Sequence, residues 1–222
     1  MKNFRLIGVL GGTFDPVHYG HLRIAEEVAE ALGLAEVRFV PAGHPPLRGA
    51  PAAAAEHRAQ MVRLAIAGNP RFILERCEIE RPGTSYTVDT LDTLRRAVGP
   101  QAALCLILGG DAAARLPAWS RWRRLLELAH LVLVRRPGSG EIPAPDWPAE
   151  LARQWEERRL DAPLELAHNP AGRMICVATT ALAISASSIR DLLRSGRSAR
   201  YLLPDSVLDY IEVNRLYTPG GG

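Results

Sequence analysis

Short apolar runs that end in glycine alternate with segments of helical period along the whole chain, and this alternation limits what the chain can fold into. Residues 6–10 are apolar and are closed by Gly11-Gly12. A run of that length suits a buried strand and is too short for a core helix. In residues 20–32, Leu22, Ala25, Val28, Ala29 and Leu32 keep a spacing near 3.6, and Gly33 supplies a stop. The same two signals recur. Strands are expected at 37–40, once or twice within 71–79, and at 103–108, 131–134 and 174–177. Helices are expected at 53–67, 87–98, 122–128, 149–160, 187–194 and 205–213. Residues 41–51 and 137–148 are rich in Pro and Gly and read as connections. Strands that alternate with helices from start to finish specify a parallel sheet covered on both faces, a Rossmann-like, doubly wound α/β fold. Ligands of such folds bind beyond the carboxyl ends of the strands, so the loops at 11–21, 41–48 and 109–119 matter most.

The chain has 222 residues. At about 150 residues per domain, that predicts a single domain over 1–216. A small C-terminal helical part is expected at about 185–216, and a flexible tail at 217–222. With 47% hydrophobic and 23% charged residues, disordered and fibrous classes are excluded. A formal charge of +3 and a pI of about 9.0 admit an anionic partner but argue weakly for a nucleic-acid surface. Lys2 is the only lysine, so the positive charge is carried by arginine, whose planar fork suits phosphates and carboxylates. As a set, however, the arginines, together with the high alanine content, read as a reflection of genome base composition, and the clusters at 121–124 and 194–200 as solvated faces. Cys77, Cys105 and Cys176 form no C-x-x-C pair and read as small apolar residues, not as disulfides or zinc ligands. With no apolar run of about 18 residues, no membrane span is expected, and a reducing cytoplasm is the expected location.

The loop after the first strand carries the sharpest chemistry. It reads Gly11-Gly12-Thr13-Phe14-Asp15-Pro16-Val17-His18-Tyr19-Gly20-His21. It is neither the G-x-x-x-x-G-K-[ST] phosphate loop nor the G-x-G-x-x-G dinucleotide loop. Its two glycines let the backbone approach a phosphate closely. Its two histidines stand three apart where a helix begins, so they share a face of the first turn. The helix N-terminus adds N–H groups and the positive end of the dipole. Gly20, between the histidines, is expected to leave room for a bulky anion. Together these features read as a triphosphate cradle with two imidazole donors. Near the other end of the chain, Ser185 and Ser187 lie where a helix should begin and can cap it or hold a phosphate. Arg190, one turn on, can place a forked donor on the same anion.

His18-Tyr19-Gly20-His21 resembles the H-x-G-H signature of the nucleotidyltransferases related in fold to class I aminoacyl-tRNA synthetases. The longer string resembles the bacterial nicotinate-nucleotide adenylyltransferases. The resemblance continues through Ser85-Tyr86-Thr87 with Thr90-Leu91, Gly109-Gly110-Asp111, Trp119, and Arg135-Arg136-Pro137-Gly138. It ends with Ile184-Ser185-Ala186-Ser187-Ser188-Ile189-Arg190. H-x-G-H alone marks only the superfamily, whereas these motifs in order span most of the chain.

The resemblance implies transfer of AMP from ATP to nicotinate mononucleotide, giving nicotinate adenine dinucleotide and pyrophosphate, a step of NAD synthesis. It implies that His18, His21 and Arg190 are catalytic and also contact ATP. The other implied ATP contacts are Gly11, Gly12, Thr13, Phe14, Gly20, Gly109, Asp111, Ile184, Ser185 and Ser187. Implied contacts to the mononucleotide are Gly12, Thr13, Arg48, Tyr86, Thr87, Trp119 and Arg136. Among these, Trp119 would stack on the pyridine ring and Thr87 would hold its carboxylate. Mg²⁺ is the implied cofactor, held mainly by ATP phosphates and not by a metal site of the protein. The expected partners are ATP and the mononucleotide, without nucleic acid or membrane, and the oligomeric state is left open.

The loop at 41–48 departs from the family pattern. It lacks the early asparagine, and Leu47 stands where the family has histidine, while Arg48 keeps the basic end. Weaker contact to one substrate is expected there. Phosphopantetheine adenylyltransferase and a nicotinamide-mononucleotide adenylyltransferase are the alternative enzymes. A non-catalytic nucleotide-binding module is the alternative from another class.

Overall fold

The computed structural model describes residues 3–46, 49–135, 147–180 and 182–218, the side chain of Asp111 excepted. Along these residues the strands are β1 (Arg5–Gly12), β2 (Glu36–Pro41), β3 (Phe72–Leu74), β4 (Ala102–Gly109), β5 (His130–Arg135), β6 (Arg159–Leu160) and β7 (Met174–Ala178). The α-helices are α1 (Tyr19–Leu32), α2 (Ala55–Ile66), α3 (Cys77–Glu80), α4 (Thr87–Val98), α5 (Gly110–Ala114), α6 (Trp122–Leu128), α7 (Ala149–Arg158), α8 (Ala186–Arg194) and α9 (Asp205–Val213). The strands form one seven-stranded sheet in the order β3-β2-β1-β4-β5-β7-β6. The pairs β1–β4, β4–β5, β5–β7 and β6–β7 are parallel. The fold is thus the Rossmann-like α/β arrangement expected from the alternation.

Two local expectations are refined. Of the one or two strands expected within 71–79, one forms, β3, and the chain then turns into the four-residue helix α3. The Glu75 carboxylate accepts the N–H of Cys77 at 3.2 Å, and the Arg76 carbonyl accepts those of Ile79 and Glu80. The helix expected over 149–160 ends at Arg158, and its last two residues form β6 beside Met174 and Ile175. Helix α5 and the 3₁₀ turns at Leu116–Ala118 and Pro163–His168 are too short to leave a periodic trace.

The chain, expected as one domain, divides into two compact units. Unit 1 is Met1–Leu10, Ile24–Val37 and Tyr86–Ala181; unit 2 is Gly11–Arg23, Arg38–Ser85 and Leu182–Gly222. In unit 1 the core is β4, buried from Ala102 to Leu108 because parallel partners flank it on both sides. Trp122, Trp147 and Trp155 are buried packing residues, as expected. Cys105 lies in β4, where burial pushes its thiol up to about 12. In unit 2, Phe39 packs between the rings of Phe14 and Phe72. Burial likewise pushes the Cys77 thiol up to about 12, which leaves it unreactive. The three cysteines are free.

The tail expected from residue 217 starts too early. Tyr217 is 4% exposed and its hydroxyl donates to Asp15, so the ordered chain continues past α9. Among the described residues no helix is long and apolar enough to cross a membrane.

Candidate active site

The histidine pair of unit 2 sits where the sequence places it. α1 starts at Tyr19, and the His18 carbonyl accepts the N–H groups of His21 at 2.9 Å and Leu22 at 3.3 Å. His18 therefore stands at the cap and His21 in the first turn. Their rings lie 3.8 Å apart between centroids, tilted by 31°. The His18 backbone N–H donates to Nδ1 of His21 at 3.3 Å. In that bond Nδ1 is the acceptor, an arrangement that places the proton of a neutral ring on Nε2. A hydrogen-bond donor is thereby set on the outer nitrogen before any ligand arrives.

Gly20 has a different task from the one expected. A Cβ there would stand 2.9 Å from Nδ1 of His18. The space is filled by the His18 imidazole and not held for an anion. Gly12 works the same way, since a Cβ there would meet the Phe14 ring at 3.0 Å. Phe14, implied as an ATP contact, is 2% exposed and meets the His21 ring edge-on at 5.0 Å. Its side chain faces the core and braces His21; it is not a surface for adenine or phosphate.

Asp15 is the buried centre of the loop. Its Oδ2 accepts the N–H of Ala52 at 2.7 Å; its Oδ1 accepts that of Ala53 at 3.1 Å and the Tyr217 hydroxyl at 2.7 Å. Arg190, one turn into α8, donates from Nη1 to the Asp15 main-chain carbonyl at 2.6 Å. The same nitrogen stays 3.8 Å from the carboxylate. At the start of α8, the Ser185 hydroxyl accepts the N–H of Ser188 at 3.1 Å, so the capping role is realised. Ser185 and Ser187 hydroxyls are 3.1 Å apart and exposed, and the Ile184 carbonyl lies 3.7 Å from where a Gly20 Cβ would stand. Unit 2 thus brings the two histidines and the late serine–arginine motif together.

Sequence reasoning missed Arg58. It is 1% exposed, with Nε on the Ala53 carbonyl at 3.0 Å, Nη1 on Thr13 at 2.7 Å and Nη2 on Gly43 at 3.3 Å. Burial lowers its pKa, opposed by Asp15, Tyr217 and Glu78. It ties the loop after β1, at Thr13, to two points of the connection between β2 and α2, through their carbonyls. A signal existed: Arg58 shares the helical face of Met61, Val62 and Ile66, all buried in α2. Ser85 also proves structural, its hydroxyl accepting the N–H groups of Gly43 at 3.0 Å and His44 at 3.1 Å.

In unit 1, Gly109 caps α5 and Gly110 opens it. Tyr86 caps α4, and Thr87 is its first residue. Trp119 is half-buried and lines an open cavity of about 620 Å³ with Pro117, Arg121, Trp122, Arg123 and Arg124, among others. Arg48, Arg136 and the side chain of Asp111 lie outside the described residues.

This fold and the H-x-G-H turn define a nucleotidyltransferase of the cytidylyltransferase-like family, whose model matches residues 9–192. Two relatives are each 51% identical and are named as nicotinate-nucleotide adenylyltransferases. That of Dechloromonas aromatica matches over 95% of this chain and 97% of its own length. That of Halorhodospira halophila matches over 91% of each. Within the wider family, the chain belongs to the nicotinate-nucleotide adenylyltransferases. The fold is shared with Plasmodium falciparum nicotinic acid mononucleotide adenylyltransferase solved with NaAD. That likeness has a TM-score of 0.69 at 18% identity, over 96% of this chain and 97% of the other.

Proposed function

We propose that the chain moves AMP from ATP to nicotinate mononucleotide, forming nicotinate adenine dinucleotide and releasing pyrophosphate. The observation that carries this reading is the close, tilted His18–His21 pair at the start of α1, with Nδ1 of His21 accepting the His18 N–H. A phosphate oxygen of the mononucleotide attacks the α-phosphorus of ATP. The new O–P bond replaces the bond to the β-phosphate, which leaves with γ as pyrophosphate. A phosphate monoester already carries about −1.5 to −2 charge at neutral pH, so no general base is needed. The chain's task is to position two polyanions and to stabilise charge developing in line. His21 donates from Nε2 to the α-phosphoryl oxygens, and His18 braces that ring. Arg190 and the hydroxyls of Ser185 and Ser187 take the departing β and γ phosphates. Thr87 and Trp119 hold the pyridine carboxylate and ring, the indole face offering a flat stacking surface.

Mg²⁺ would reach this site on the phosphates of ATP and would supply charge neutralisation there. The Asp15 oxygens, already occupied by N–H and O–H donors, offer it no open ligand.

His21→Ala should lower kcat by about 10²–10³-fold, the loss typical of one transition-state donor, with the melting temperature little changed. Steady-state pyrophosphate release measures it, and near-normal turnover would remove His21 from the mechanism. The same assay with nicotinate mononucleotide, nicotinamide mononucleotide and phosphopantetheine tests the acceptor. Release with phosphopantetheine alone would overturn the reading.

A further inference from the structure

We infer that Tyr217, at the far end of the chain, is a positioning residue for Arg190: its hydroxyl holds the buried Asp15 carboxylate away from the guanidinium. The inference rests on the adenylyl-transfer reading, in which Arg190 receives phosphate. Asp15 and Arg190 are close enough to form a tight pair, yet they do not. The Asp15 oxygens are engaged by two backbone N–H groups and by Tyr217 at 2.7 Å. Arg190 Nη1 is left 3.8 Å from Oδ2 and donates instead to the Asp15 main-chain carbonyl at 2.6 Å. Its Nε is buried and has no hydrogen-bond partner. A guanidinium bonded at one corner to a neutral carbonyl, with the carboxylate held at 3.8 Å, keeps N–H donors for an anion. Without the phenol, the carboxylate loses one of its three donors and attracts the guanidinium more strongly, so the 3.8 Å pair would tighten and compete with phosphate.

The backbone around Tyr217 shows that this contact is held in place. Arg215 and Tyr217 adopt φ of 52° and 63°, left-handed values that bulky side chains rarely take. Such conformations persist where surrounding contacts over-determine them, often at functional sites. The turn is fixed by the Arg215 N–H on the Glu212 carbonyl and the Leu216 N–H on that of Ile211. It aims the Tyr217 ring inward, 202 residues along the chain from its partner.

The test is a double-mutant cycle of Tyr217→Phe with Arg190→Ala in the full chain. Phenylalanine keeps the ring and removes only the hydroxyl. Tyr217→Phe should lower kcat/KM about tenfold, roughly the worth of one charge-assisted hydrogen bond. In the Arg190→Ala background the same change should have almost no further effect, because coupled residues are not additive. Tyr210→Phe is the control, since its hydroxyl meets His57 at 2.8 Å on the same C-terminal segment and should leave kcat/KM unchanged. Full additivity, or a Tyr217→Phe loss that appears only in the melting temperature, would overturn the inference. Affinity for α,β-methylene-ATP, read by titration calorimetry, repeats the cycle without turnover. An unmodified chain that fails to turn over nicotinate mononucleotide would therefore defeat the functional reading while the cycle still reports on Tyr217.

Discussion

Arg58 in unit 2 and Arg121 in unit 1 put the same side chain to opposite uses. Arg58 is 1% exposed and gives its guanidinium to three main-chain carbonyls. Arg121 is half-exposed and grips the Asp89 carboxylate through two bonds of 2.9 Å. Arg123 does likewise with Glu150, and Arg124 pairs with Asp92 through one bond. The difference does not lie in which unit carries the residue, because Arg95 in unit 1, half-buried, also binds main-chain carbonyls. It binds the carbonyls of Ala102, Leu128 and Pro170, and burial lowers its pKa. A buried arginine acts as a cross-link of backbone segments, while a surface arginine adds one screened contact.

The largest effect should follow from breaking the buried cross-link. Arg58→Ala leaves three carbonyls without their donor and should cost about 4 kcal/mol. Urea unfolding would measure it as a shift of midpoint at constant slope. Arg58→Lys should recover little, since an ammonium cannot reproduce the planar fork that spans Thr13, Ala53 and Gly43. A loss no greater than that of a surface arginine would erase the comparison. Because Thr13 stands in the loop that leads to His18 and His21, Arg58→Lys should also raise KM for ATP.

His130 gives the comparison a dependence on pH. It opens β5, fully buried, with Nε2 on the Asn169 carbonyl at 3.0 Å and Nδ1 accepting the Arg173 N–H at 3.1 Å. Desolvation by burial is the main cause of a pKa lowered to about 4. Below pH 6.5 the unfolded chain takes up a proton that the folded chain refuses, so this contribution to stability is complete above about 6.5 and is lost as pH falls toward 4. Between pH 7.5 and 4 it amounts to about 3 kcal/mol. Substituting His130→Gln should flatten that part of the stability–pH curve. An unchanged slope would mean that His130 takes up its proton equally in the folded and unfolded chains.

These buried polar residues are also where the sequence was least legible. The strands, the long helices and the H-x-G-H turn follow from apolar period, glycine stops and local spacing, and they stand in the structure within a few residues. The pairing of Asp15 with Tyr217 and Arg190 joins positions 202 and 175 residues apart, and no local pattern carries such information. Gly20 and Gly12 were read as space for a ligand, because a glycine in a sequence does not say whose atoms fill the gap. Here the atoms are the rings of His18 and Phe14. Arg58 hid among surface arginines although its place on the buried face of α2 was visible in the spacing.

The smallest effect belongs to Arg121, and it divides into two terms of opposite sign. Its ion pair with Asp89 lies in solvent and contributes up to about 1 kcal/mol. Its backbone sits at φ 52°, ψ 38°, the left-handed region, as the residue before α6. Holding a non-glycine residue there costs about 1 kcal/mol, a cost that glycine escapes. Arg121→Ala removes the pair and keeps the strain, so stability should fall by up to about 1 kcal/mol, and less as salt screens the pair. Arg121→Gly removes both, and the two terms should nearly cancel, leaving stability within about 0.5 kcal/mol of the parent. Thermal unfolding of the two variants at low and high salt separates the terms. Equal losses in both would show that the left-handed backbone is relaxed and that the ion pair alone decides the site.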